Sequence, residues 1–130
     1  MAAALIRVGT SEALRDGGPG LRFEVEVAGR VETAFAVRHR GAIYGYLNRC
    51  AHVAMELDWQ VGMFFDSEGQ WLMCATHGAL YEPHTGRCAG GPCLGRGGLR
   101  RLTLVERDGA IYWQPDDVVR AVSGTAAPTG

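Results

Sequence analysis

Between Leu21 and Val27 the chain reads Leu-Arg-Phe-Glu-Val-Glu-Val, alternating apolar and polar residues. That period of two is expected of a strand with one buried face. The apolar runs Ala34–Val37 and Ile43–Leu47 flank Arg38-His39-Arg40-Gly41-Ala42 and predict a hairpin. A second hairpin is predicted from Phe64-Phe65 and Trp71-Leu72-Met73 around Asp66-Ser67-Glu68-Gly69, with glycine in its turn. A third joins Leu102–Val105 to Ile111–Trp113 through Arg107-Asp108-Gly109. Short strands with closely spaced turn signals predict an all-β fold, an antiparallel sandwich or barrel. Helix is expected only as a turn or two, within the first fifteen residues or between Asp116 and Ala121. The cluster Asp16-Gly17-Gly18-Pro19-Gly20 is punctuation and predicts a loop. These boundaries divide the chain into a lead-in over 1–20, a single domain over 21–114 and a flexible tail over 115–130. The small, polar end from Ser123 onward is expected to be disordered.

Composition narrows the class. A chain of 130 residues, 47% hydrophobic and 21% charged, suits one soluble domain with a real core. A formal net charge of −1 argues against a nucleic-acid surface, which needs a basic excess. The start, Met1-Ala2-Ala3-Ala4-Leu5-Ile6-Arg7, has no basic leader followed by a sustained apolar region. No apolar run approaches the length of a membrane span. The expectation is a cytoplasmic protein with no membrane partner, in which four cysteines suggest metal or redox chemistry before a disulfide framework.

Two segments carry that chemistry. Cys50-Ala51-His52 and Cys74-Ala75-Thr76-His77-Gly78 each offer one thiolate and one imidazole. Each follows a predicted strand directly, so both sit on loops, and Gly78 lets the chain turn after the second histidine. Two sulfur and two nitrogen ligands suit a Rieske [2Fe–2S] centre, in which two histidines replace two cysteines on one iron. They also suit tetrahedral zinc. A zinc finger usually takes both cysteines from one knuckle and both histidines from a helix, whereas each pair here is mixed and no helical period surrounds His77. The iron–sulfur reading is therefore preferred, with zinc left open.

With two thiolates, a pair of ferric ions and two sulfides forms a neutral oxidised centre that becomes singly negative on reduction. Four thiolates would make both states more negative and the added electron harder to accept. Rieske centres accordingly span roughly −150 to +300 mV.

At this point a family resemblance becomes specific. Asn48-Arg49-Cys50-Ala51-His52 and Cys74-Ala75-Thr76-His77-Gly78-Ala79-Leu80-Tyr81-Glu82-Pro83 resemble the two ligand loops of Rieske [2Fe–2S] proteins. Thr85-Gly86-Arg87-Cys88-Ala89-Gly90-Gly91-Pro92-Cys93 is similar to the third loop that covers the cluster in that family. The resemblance extends from about Leu21 to Gln114 and implies a small cluster-binding subdomain, over about 48–95, formed by hairpin loops. It further implies that Cys50 and Cys74 bind the inner iron and that His52 and His77 bind the outer one. The far ring nitrogens of those histidines would lie near solvent and couple reduction to proton uptake at high pH.

The sequence departs from the respiratory-chain members of that family. Met55 and Thr76 stand where those proteins carry a pair of disulfide-forming cysteines, and Ala79 replaces a serine that donates to a cluster sulfide. Tyr81 matches a tyrosine that hydrogen-bonds a cysteine ligand. Fewer hydrogen bonds to sulfur imply a potential below the respiratory class. The segment from Val53 to Met73 is long for compact members and is expected to form the second hairpin.

Cys88 and Cys93 admit a disulfide bracing the third loop or a redox-active pair, but two reduced thiols are the simpler expectation in a cytoplasm. His39 and His84 are expected in turns, and Trp59, Trp71 and Trp113 in packing. The function implied is a one-electron carrier, not itself an enzyme, passing electrons from a reductase to an oxygenase or other redox partner. Arg49, Arg87 and Arg96 lie near the loops and could guide an acidic partner, although solvated arginines are the simpler reading. The alternatives are a subunit or module of a larger reductase or oxygenase complex, and a structural zinc domain.

Overall fold

The computed structural model describes residues 5–49, 56–58, 60–74, 78–91 and 97–122. Seven strands form one antiparallel sheet: β1 (Ile6–Thr10), β2 (Leu21–Val27), β3 (Arg30–His39), β4 (Ala42–Leu47), β8 (Arg101–Arg107), β9 (Ala110–Gln114) and β10 (Val119–Arg120). Their spatial order is β1-β9-β8-β4-β3-β2-β10. A second sheet contains β5 (Leu72–Met73), β6 (Leu80–Tyr81) and β7 (Cys88–Gly90) in chain order. The large sheet curls far enough for Gly9 of β1 to lie directly against Leu21 of β2, where a Cβ would collide with that side chain.

Three hairpins of the large sheet use the same turn. Ala28-Gly29, Arg40-Gly41 and Asp108-Gly109 all have positive φ at both positions, between 51° and 83°. That backbone matches the right-handed twist of the flanking strands, which ordinary turns would splay. The hairpins around residues 40 and 108 were legible from their glycines. The β2–β3 hairpin was not, because β3 begins four residues before the apolar run that predicted it, with Arg30-Val31-Glu32-Thr33.

The different patterns of β2 and β3 follow from burial. β2 alternates because it covers the interior with one face, whereas Ala34, Phe35, Ala36 and Val37 of β3 are all fully buried. Ala34 packs with Val25, Leu47, Leu102, Trp113 and Val119 in the core of the curled sheet. Phe35 and Val37 point the other way, into a second core with Tyr46, Leu57, Phe64, Leu72 and Tyr81. There Phe35 stacks on Phe64, with ring centroids 3.9 Å apart and planes 10° apart. A strand buried on both faces has a continuous apolar run instead of an alternating one. β3 is thus the wall shared by the large sheet and the small subdomain.

Both ends of the chain differ from expectation. The first residues supply β1, paired with β9, and only one 3-10 turn at Ser11–Ala13. Asp116–Ala121 contains no helix; Val119 and Arg120 pair with Val27 and Glu26 of β2. The Asp116 carboxylate instead accepts the Val118 and Val119 amides, each at 2.8 Å, and those bonds hold its pKa below the ordinary carboxylate value. The expected disorder from Ser123 onward lies outside the described residues.

Candidate metal centre

The predicted second ligand loop springs from β5. Cys74 follows that strand immediately, is fully buried and is not in a disulfide. Its N–H donates to the Ala79 carbonyl at 2.9 Å and its carbonyl accepts the Gly78 N–H at 2.7 Å. Those two bonds pin the residues on either side of positions 75–77, and Gly78 has φ +73°. Ala79 and Tyr81, both fully buried, carry the chain into β6. Cys74, Ala79 and Tyr81 share one core with Leu57, Phe64 and Cys88, so the base of the loop is walled by apolar groups.

The third loop rises beside the second. Gly90 and Cys88 of β7 pair with Leu80 and Tyr81 of β6. Beyond β7, the Cys88 N–H donates to the Gly97 carbonyl at 2.9 Å and the Leu99 N–H to Gly86 at 2.7 Å, so the third loop is also pinned at its base. Tyr46 of β4 anchors the subdomain from below, donating its buried hydroxyl to the Pro83 carbonyl at 2.6 Å.

The first loop is closed differently. Asn48, the first residue of the first ligand motif, and Asp58, which belongs to no motif, meet through their side chains at 2.8 Å. No local pattern announces a hydrogen bond between side chains ten residues apart.

Of the four predicted ligands, Cys74 falls among the described residues, buried at the end of β5, while Cys50, His52 and His77 lie outside them. So do Met55, Thr76, Trp59, Cys93 and Arg96. Several neighbouring expectations change. Cys88 is in a disulfide, not a reduced thiol, and because Cys74 is not, its partner lies outside the described residues. His39 is no turn residue: it ends β3, is buried, and stacks on Phe65 with ring centroids 5.9 Å apart. Burial, and secondarily the Arg40 charge, push its pKa below the ordinary imidazole value. His84 lies exposed in the turn before Thr85, as expected. Trp113 is in the core, but Trp71 is 37% exposed. The second hairpin does form, through the Phe65–Leu72 bridge and the Met73 N–H to Phe64 carbonyl bond at 2.8 Å, although only Leu72–Met73 is regular strand.

Sequence comparison decides the family. Residues 5–99 match the Rieske [2Fe-2S] domain. The chain belongs to the Rieske family. No curated protein matches it in sequence. Among solved structures, the ferredoxin of carbazole 1,9a-dioxygenase from Nocardioides aromaticivorans IC177 is similar at a TM-score of 0.67 and 26% identity, over 87% of this chain and 99% of that one. A complex of reduced oxygenase and oxidized ferredoxin in carbazole 1,9a-dioxygenase contains a chain similar at a TM-score of 0.64 and 20% identity, over 85% of this chain and 92% of that one. The terminal oxygenase from the same Nocardioides strain matches at a TM-score of 0.65 and 19% identity, over 98% of this chain but 34% of its own.

As a Rieske domain, the chain takes one Rieske-type [2Fe–2S] cluster. The described donor fits that group: a buried Cys74 thiol at the mouth of a pinned loop, with apolar walls that keep water from the inner side.

Proposed function

We propose that this Rieske protein is a one-electron carrier of the ferredoxin type, with Cys50 and Cys74 holding the inner iron and His52 and His77 the outer. The cluster would supply reversible one-electron transfer. The chain's own residues keep its inner side dry through Tyr81, Ala79 and Phe64, and pin the ligand loops to a rigid sheet. The observation carrying this reading is that the fold extends over 99% of a ferredoxin's length, that ferredoxin serving carbazole 1,9a-dioxygenase. By that likeness the partners are a reductase on one side and an oxygenase or other redox protein on the other, met through small transient interfaces. Among the described residues no helix is long and apolar enough to cross a membrane. The domain proposed here is wider than 21–114, because β1 and β10 belong to its sheet, and its cluster subdomain covers about 48–95.

A second reading has its own support. The same fold covers 34% of the terminal oxygenase chain, which favours a module that works inside a larger complex. Sedimentation of the protein from its native host separates the two: a carrier runs alone, a module runs with its complex.

The deciding experiment is the visible and EPR spectrum of anaerobically purified protein before and after dithionite, with iron, sulfide and zinc assayed. Two irons, two sulfides and a rhombic signal on reduction are expected. One zinc, no colour and no signal after cluster reconstitution would replace the carrier with a structural zinc domain.

A further inference from the structure

The second ligand loop is closed by its own backbone, through Cys74, Gly78 and Ala79. The first is longer, and side chains close it. Asn48 directly follows β4 and stands two residues before Cys50. Its N–H donates to the Thr33 carbonyl of β3 at 2.8 Å. Its side-chain Oδ1 accepts the Leu57 N–H at 2.8 Å, and its Nδ2 donates to Asp58 Oδ1 at 2.8 Å. One carboxamide thus joins both ends of the segment that carries Cys50 and His52.

Asp58 is held equally firmly. Its side chain is fully buried, its Oδ2 accepts the Gly62 N–H at 2.9 Å, and Arg22 Nε of β2 approaches that oxygen to 3.5 Å. Arg22 also reaches Glu56 Oε2 at 2.7 Å, so a cation on the rigid sheet faces carboxylates on the returning arm of the loop. Burying a carboxylate is costly, and buried ion pairs seldom stabilise more than an apolar replacement of the same shape. What such a network supplies is a single geometry. Metal ligands need this, because loss of the groups that orient them typically costs 10–100-fold in affinity.

We propose that Asn48 and Asp58 are positioning residues that lock the first ligand loop, holding Cys50 and His52 in register with Cys74 and His77. The proposal rests on the cluster reading above. It assigns a distinct task to two residues that are not among the four proposed ligands.

The test compares wild-type protein with Asn48→Ala, Asp58→Asn and the exchange Asn48→Asp/Asp58→Asn. Asp58→Asn alone turns an amide toward the Gly62 N–H and Arg22, setting donor against donor. The exchange restores acceptors for Leu57 and Gly62 and one N–H···O bond between positions 48 and 58. The readouts are iron release to a chelator, the g-values and width of the reduced EPR signal, and circular dichroism to verify folding. Either single variant should release iron at least tenfold faster and broaden the signal while keeping the fold. The exchange should return within threefold of wild type.

Wild-type release and g-values in folded Asn48→Ala, or no rescue by the exchange, would overturn the positioning role. Should the single variants fail to fold, the exchange decides alone: release within threefold of wild type supports the lock, and tenfold faster release from a folded protein overturns it. A wild-type protein without the rhombic signal would instead overturn the cluster reading, and the lock with it.

Discussion

Gly91 presses on Gly78: a Cβ built on Gly91 would lie 2.6 Å from the Gly78 carbonyl oxygen and 3.0 Å from the Ala79 Cα. The third loop therefore leaves β7 in backbone contact with the residue that follows the second predicted histidine. Gly91 also has φ +79°, which a side chain resists. Gly91→Ala should force the two loops apart and destabilise the protein by at least ~2 kcal/mol, from left-handed strain and the collision together. Chemical denaturation and iron release would both register it. Gly90→Ala, where an added Cβ meets nothing within 4 Å, should leave both unchanged.

The Tyr46–Pro83 hydrogen bond joins the large sheet to the subdomain. Tyr46→Phe leaves a buried carbonyl without its donor and should cost about 1–3 kcal/mol in a urea titration. Burial raises the Tyr46 pKa well above its ordinary 10.0, so the folded protein keeps a proton that the unfolded chain loses. Stability from this residue is fully present below pH 10 and should decline as pH rises above it. The variant should lack that part of the alkaline slope; equal slopes would contradict the assignment.

Cys88 belongs to a disulfide, and Cys50 is proposed as an iron ligand. Cys93 is then the expected partner, tying the tip of the third loop to its base. Alkylation of unfolded, unreduced protein should label Cys50 and Cys74, and peptide mapping should recover Cys88 linked to Cys93. A Cys88–Cys50 link in protein carrying a full cluster would refute the ligand assignment. Two labelled thiols at 88 and 93 would refute the disulfide.

Ala28 occupies the first central position of the β2–β3 turn at φ 52° and is exposed. Asparagine tolerates that conformation better than alanine because its short polar side chain bonds locally. Ala28→Asn should stabilise the protein by about 0.5–1 kcal/mol, a part of the ~1–2 kcal/mol that a left-handed residue costs. Thermal melting would detect it, and a lower midpoint would count against this account of the turn.

Features that depend on local chemistry were legible in the chain alone. Alternation in β2 announced a one-faced strand, the glycines at 41, 69 and 109 marked hairpins, and the paired Cys and His residues identified a family whose match covers residues 5–99. Each signal lies within a few residues, and period, turn geometry and ligand identity are local properties. Features that depend on distant partners emerged only on folding. Ile6–Thr10 is a strand because Ala110–Trp113 offers it an edge, and Val119-Arg120 extends because β2 does the same. Ile6-Arg7-Val8 alternates only briefly before Gly9, and Val119-Arg120 is too short to carry a period. His39 is buried because Phe65 lies over it, and Cys88 is oxidised because the fold brings a second sulfur to it. The Asn48–Asp58 contact and the approach of Gly91 to Gly78 likewise join segments by geometry that no local pattern encodes. Burial selects those pairings: a polar group removed from water must find its partner wherever the chain has brought one.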